Sequence, residues 1–358
     1  MATRKKILIV ASGVGRMGEG IVGGVTHTVS ILTLVLQRLG HGVTVLAPAG
    51  SQFDLADKME VDGNPQPTLA NSDPDAPWPA VPNGLVAAMW REVMARHHHY
   101  DLVFNIQHDW LPYWLHPQLA GKLYHNVNLG RVNAATDKEM LAVARAHKGH
   151  VAFMSTSQAQ DFAALDDSAL TCPIFPNGLE LDRYPVGPGG DYLAWAGRIS
   201  PEKGLLDACE IARLSGRRIA IGGSIGDEAH WAEVQARYGD IIDYRGFLDH
   251  DQLCAHFGGA AAMLMTQKWA EAFGIVTIES LACGTPVIAV DRGANAELVR
   301  DGVTGFIIPP DDVEAGAQAV KRLGDLDRSE CRADMEARFS LEALSDDLVR
   351  WIPELAQK

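Results

Sequence analysis

Cysteine is scarce and scattered: Cys172, Cys209, Cys254, Cys283 and Cys331 form no CxxC pair. That spacing offers neither a disulfide framework nor a zinc site, and it suits a reducing, cytoplasmic compartment. No apolar run approaches membrane-spanning length, so no transmembrane segment is expected. The opening MATRKKILIVASG mimics a signal peptide, but its apolar run is short and glycine-rich sequence follows; it reads as a first strand. Positive charge is also in short supply, with 31 Lys and Arg against 45 Asp and Glu and a formal charge of −14. Up to Thr171 the counts are 13 and 15, and beyond it 18 and 30, so the second half carries almost all the excess. That balance argues against nucleic acid or an anionic membrane as the main partner.

What is present is rhythm. Short apolar runs alternate with segments of helical spacing. KILIVAS, GVTVLAP, DLVFNIQ, KLYHNV and VAFMST are the expected strands of the first half, with Val25–Leu39, Leu85–Arg96 and Thr136–His147 as helices between them. YLAWAGRI, RIAIGGS, IIDYRGF, AAMLMTQ, PVIAV and GFIIPP continue the pattern in the second. Strands of this kind are buried on both faces, and their alternation with helices implies right-handed βαβ units and parallel sheets. The length of 358 residues allows two such domains. The expected division is 1–175, 176–340 and a terminal amphipathic helix, 341–358. One stretch breaks the rhythm: Ser51–Asn83 holds six prolines without periodicity and is expected to be a surface loop.

The densest chemistry is in EAFGIVTIESLACGTP. Glu271 and Glu279 stand eight positions apart around Phe273-Gly274-Ile275, the first in a loop and the second on the helix that follows. Bare amides at a helix start attract an anion, and carboxylates accept hydroxyl protons, so the segment suits a ligand bearing phosphates and hydroxyls. In GRISPEKG, Arg198 and Lys203 leave the carboxyl end of a strand, where ligands bind in such sheets. Gly13-Val14-Gly15-Arg16-Met17-Gly18 matches GxGxxG, but no Asp or Glu lies between Ile21 and Phe53 to meet a dinucleotide ribose. We read it as a glycine loop approaching a phosphate or sugar, with Gly23 and Gly24 at the helix start. His97-His98-His99 reads as a solvated helix end, and Asp73-Pro74-Asp75 as loop, not a metal site. His108 and Asp109 follow a strand; a packed imidazole beside a capping aspartate and an acceptor-facing pair are equally good readings.

With Asn177-Gly178-Leu179-Glu180-Leu181-Asp182 and the ELVRDGVTGF segment from Glu297, these ordered motifs resemble retaining glycosyltransferases of family four. The likeness is close over the second half and loose over the first. It implies the GT-B fold: two Rossmann-like, doubly wound parallel-sheet α/β domains facing across a cleft, with a nucleotide-sugar held mostly by the second. The final helix would cross back to the first domain. Carried over, Glu271 meets hydroxyls of the donor sugar, and the amides of Phe273, Gly274 and Ile275 face sugar and phosphate. Glu279 takes the ribose hydroxyls. Arg198 and Lys203 hold the diphosphate, and Gly23 and Gly24 approach it from the other domain. His125 matches a histidine that contacts the donor sugar. No metal and no cofactor are implied; the UDP-sugar is a substrate, and retention proceeds by front-face attack.

The nearly neutral first domain suggests a small soluble acceptor, met by His108, Asp109 and Asn128, with Trp78, Trp110 and Trp114 available for stacking. ASGVGRMGEGIVGGV, LAPAGS and NLGRVNAATD are similar to UDP-glucose:tetrahydrobiopterin glucosyltransferases, implying glucose as the sugar and a reduced pterin as acceptor. Other readings stand beside this one: a family-four enzyme using a sugar or lipid-linked acceptor, an NAD-linked oxidoreductase, and a silent nucleotide-sugar binder.

Overall fold

The computed structural model describes residues 4–18, 24–67, 75–119, 121–131 and 133–356. The chain divides into two units, Met1–Asn177 with Leu344–Lys358, and Gly178–Ala343. The first holds strands β1 (Lys6–Val10), β2 (Gly42–Pro48), β3 (Asp57–Val61), β4 (Leu102–Asn105), β5 (Leu123–Val127) and β6 (Val151–Phe153). They form one parallel sheet in the order β3-β2-β1-β4-β5-β6. Ile7, Leu8, Ile9 and Val10 are wholly buried, as expected of a central strand covered on both faces. The helix Gly24–Arg38 buries Val29, Leu32, Val35 and Leu36, residues three and four apart along one stripe facing the sheet.

The stretch Ser51–Asn83, expected to be loop, contains β3. Its sequence DKMEV has no apolar run because it is an edge strand, paired among the described residues with β2 alone and largely exposed. Its backbone hydrogen bonds, not apolar burial, define it.

The second unit repeats the design with β7 (Leu193–Ala196), β8 (Ile219–Gly222), β9 (Ile242–Gly246), β10 (Ala262–Met265), β11 (Val287–Val290) and β12 (Gly305–Ile308). Its parallel order is β12-β11-β10-β7-β8-β9. In both units the strand order reverses beside the first strand, between β1 and β4 and between β7 and β10. Connections leaving two such neighbours diverge to opposite faces and open a crevice at their carboxyl ends, where ligands bind in these sheets. The helix Leu341–Trp351 ends in the first unit, where Trp351 packs on Phe104, Tyr124 and Phe175 and donates Nε1 to the Gly149 carbonyl at 2.7 Å.

Candidate functional site

Within the second unit, the switch point between β7 and β10 gathers the residues singled out in the sequence. After β7, Pro201–Lys203 makes a single 3-10 turn ending at Gly204. Gly204 has φ 71°, and a Cβ there would stand 1.8 Å from the Thr266 carbonyl. Only glycine lets the loop after β7 press against the one after β10. That contact brings Lys203 to Glu271, with Nζ 2.9 Å from Oε2. Trp269 donates Nε1 to the same oxygen at 3.0 Å, and its ring lies 4.8 Å from the Lys203 ammonium. Arg198 is half exposed and bonded to Glu202 at 2.7 Å.

Glu271 leads into the helix Ile275–Ala282, capped by Gly274. The amides of Phe273, Gly274 and Ile275 make no hydrogen bond within the described residues. They are the unsatisfied donors of a helix start and favour an anion. The Phe273 side chain is buried against Phe339, so the residue presents backbone and not ring.

Glu279 sits one turn along the helix, and only 9 % of it is exposed. Tyr184, 95 positions away, donates its hydroxyl to Oε1 at 3.0 Å. Burial pushes the Glu279 carboxyl up to about 7, against the lowering effect of that hydrogen bond. Because the folded pKa lies above its unfolded value of 4.5, the group stabilises the fold at low pH. That contribution is lost as pH rises through about 7. Glu279→Gln is therefore expected to gain on the order of 3 kcal/mol of relative stability between pH 4 and pH 8. Thermal unfolding of both proteins across that range checks it.

In the first unit, the switch point between β1 and β4 forms a cavity of about 540 Å³ including the open solvent at its mouth. Ser12, Gly13 and Val14 line it from β1's end, Gln107, His108 and Asp109 from β4's end, and Asn128 from beyond β5, with Gln66 and Trp78. Three residues expected to meet an acceptor, His108, Asp109 and Asn128, thus share one cavity. Although His108 is partly exposed as a residue, both its ring nitrogens are buried without a partner among the described residues, as are Asn128 Oδ1 and Gln66 Nε2. Burial pushes His108 down to about 4, keeping it neutral, and Asp109 up to about 6. Asp109 also caps the short helix Trp110–Trp114, accepting from the Leu111 amide at 2.9 Å. Buried polar groups normally find partners, so this unsatisfied set makes the cavity a candidate for a polar ligand.

His125 lies within β5. It is wholly buried, with Nδ1 3.1 Å from the Asn105 amide and Nε2 3.1 Å from His116 Nδ1, and it stacks on Tyr113. Both of its ring nitrogens are therefore engaged by neighbouring side chains. The sequence placed it at the carboxyl end of β5 but carried no sign of its partners 9 and 20 positions away. Gly24 begins the helix Gly24–Arg38, and its carbonyl accepts from Thr28 Oγ1 at 2.9 Å. Gly23 and Asp73 lie outside the described residues. Trp269 and Tyr184 were not singled out. Trp269 carried a local signal, an indole two residues before Glu271, whereas Tyr184 carried none. Among the described residues no group of three His, Cys, Asp or Glu is placed to hold a metal ion, and no helix is long and apolar enough to cross a membrane.

Comparison with known proteins agrees with this geometry. The profile of the family "Glycosyl transferases group 1" matches residues 184–339. Glycogen synthase of Mycobacterium tuberculosis is 27 % identical over 378 aligned residues, covering 91 % of this chain and 88 % of its own. Phosphatidyl-myo-inositol mannosyltransferase of Mycolicibacterium smegmatis is 29 % identical over 89 % of this chain and 85 % of its own. D-inositol 3-phosphate glycosyltransferase of Jonesia denitrificans is 32 % identical over 49 % of this chain and 44 % of its own. Among solved structures, sucrose-phosphate synthase from Thermosynechococcus elongatus superposes with TM-score 0.74 at 20 % identity, covering 98 % of this chain and 99 % of that one. HepE of Anabaena, in complex with UDP-glucose, gives 0.72 at 16 % identity over 98 % and 100 %. These structural likenesses carry the fold, and the sequence relatives carry the activity. The chain is a glycosyltransferase of the GT-B fold, and its residues 184–339 match the model of the glycosyl transferases group 1 family.

Proposed function

We propose that the enzyme transfers glucose, with retention, from UDP-glucose to a small soluble acceptor, a reduced pterin such as tetrahydrobiopterin. The observation that carries the donor half is the Lys203–Glu271 pair beside the unbonded amides of the helix Ile275–Ala282. Cation and amides take the diphosphate, Glu271 takes sugar hydroxyls, and Glu279 takes the ribose. HepE, of the same fold, is recorded with UDP-glucose. In the reaction the bond from the anomeric carbon to the phosphate oxygen breaks, and a bond to the acceptor oxygen forms on the same face. The acceptor proton passes to the departing phosphate. Lys203, Arg198 and the helix amides stabilise the charge that develops there without a metal.

The acceptor half is supported by the cavity of the first unit. A flat heterocycle can stack beside Trp78 while its edge meets the unpaired nitrogens of His108, the Asn128 oxygen and the Gln66 amide. A cytoplasmic location belongs to this reading, in keeping with five free cysteines.

A second reading draws on the sequence relatives. Glycogen synthase and the phosphatidyl-myo-inositol mannosyltransferase align along most of the chain, which favours a sugar or lipid-linked acceptor. One anaerobic assay decides. UDP-glucose and tetrahydrobiopterin, with EDTA present, are expected to give UDP and a hexosyl-pterin detectable by mass. Transfer to a glucan or phosphatidylinositol with no pterin product establishes the second reading. UDP is also expected to raise the melting temperature at concentrations where NAD does not.

A further inference from the structure

We infer that Trp269 is the positioning residue of the donor site: its indole N–H holds Glu271 so that one carboxylate oxygen stays open to a donor-sugar hydroxyl when Lys203 turns to the diphosphate. The inference rests on the reading above, in which Glu271 meets the sugar and Lys203 the phosphates.

The geometry assigns the two carboxylate oxygens different work. Oε2 accepts both from Lys203 and from Trp269, at 2.9 and 3.0 Å. Oε1 accepts from no group among the described residues. The backbone of Glu271 is fixed independently. Its carbonyl accepts from the Ala294 amide at 3.1 Å. Gly293, at φ 62°, packs so closely that a Cβ there would stand 2.4 Å from that carbonyl. Only the side chain has freedom left, and the two donors on Oε2 remove it.

Lys203 is claimed twice. Without a donor sugar it neutralises Glu271. A diphosphate carries more negative charge than one carboxylate, so the ammonium shifts toward the phosphates when the nucleotide-sugar arrives. Glu271 would then lose its anchor just when it must accept a sugar hydroxyl, and a long carboxylate side chain regains rotamer freedom that costs binding free energy to freeze again. The indole N–H can prevent this. It is a donor only, and it lies two residues from Glu271 in the same loop, already bonded to Oε2. The ring face 4.8 Å from Nζ gives the ammonium a cation–π contact that persists over small displacements.

The test uses Trp269→Phe, which keeps an aromatic ring and removes the N–H. UDP, which lacks the sugar, is expected to bind with an affinity within about twofold of the unsubstituted protein. The kcat/KM for UDP-glucose is expected to fall about tenfold, the effect of one hydrogen bond to a charged group. A variant that had merely lost structure would lose UDP binding in parallel. A second measurement needs no ligand: melting temperatures of Trp269→Phe, Glu271→Ala and the double variant. The tryptophan substitution is expected to lower the melting temperature in the presence of Glu271 and to have little effect in its absence. Additive shifts, equal losses of UDP and UDP-glucose, or unchanged turnover of UDP-glucose by Trp269→Phe would each overturn the inference. Failure of the unsubstituted protein to bind UDP or UDP-glucose would instead sink the donor reading itself.

Discussion

Replacing Lys203 by alanine is expected to lower turnover of the nucleotide-sugar about a hundredfold, the scale of losing one preorganised charge-stabilising group at a reacting centre. The side chain is three-quarters buried in the second unit, and Nζ is held by Glu271 and the Trp269 ring. It is thus held close by before the donor arrives, and once it has turned to the bound diphosphate little further reorganisation accompanies charge development on the leaving group. The fold is expected to survive. Lys203 ends a short 3-10 turn and its side chain is not part of the apolar core. The partly exposed ion pair contributes about 1 kcal/mol or less, and Glu271 keeps its bond from Trp269. Steady-state kinetics with circular dichroism and a melting curve test both halves. Normal turnover in a folded Lys203→Ala protein removes the residue from the mechanism.

The affinity for UDP-glucose is expected to fall about tenfold for each pH unit below 7. The cause is Glu279, whose carboxyl is pushed up to about 7 by burial. In the proposed donor site the ribose hydroxyls donate to the ionised carboxylate, so binding would favour loss of its proton. Above pH 7 the group is already ionised and affinity is flat. Below it, each binding event must first release a proton, and the apparent affinity follows the ionised fraction. UDP-glucose is the right probe because its substituted diphosphate does not titrate in this range, whereas free UDP does. Calorimetric titration from pH 5.5 to 8 gives the slope, and Glu279→Gln is expected to abolish it. A flat profile in the unsubstituted protein would remove Glu279 from the nucleotide site. Stability and binding thus place opposite demands on this carboxyl: burial favours the neutral form and the ligand favours the charged one.

Much of the fold was legible because it rests on local chemistry. Continuous apolar runs such as KILIV and IAIG can only be strands covered on both faces, and helix-spaced segments between them leave parallel pairing as the way to join them. The strand Asp57–Val61 was not legible, because an edge strand is defined by hydrogen bonds to its neighbour and its exposed side chains carry no period. The candidate site divides the same way. Glu271, Gly274 and Glu279 lie on one short segment, and their spacing alone suggested an anion and hydroxyls together. The pairing of Lys203 with Glu271 spans 68 residues and that of Tyr184 with Glu279 spans 95. Neither leaves a mark on the local sequence.

Sequence by itself determined most of the elements, the two repeats of a parallel α/β design, and which short segments offer helix-start amides, carboxylates and cations, because these depend on side-chain periodicity and on neighbours along the chain. Tertiary structure alone decided which of those groups meet and in what state. It set Trp269 and Lys203 on one oxygen of Glu271, raised the Glu279 carboxyl by burial, and left His108 in a cavity with no partner among the described residues. It also closed His125 away between Asn105 and His116. The physical reason is that desolvation and hydrogen-bond completion depend on atoms brought close in space, and the crossovers of a doubly wound sheet bring together residues that no window of sequence contains.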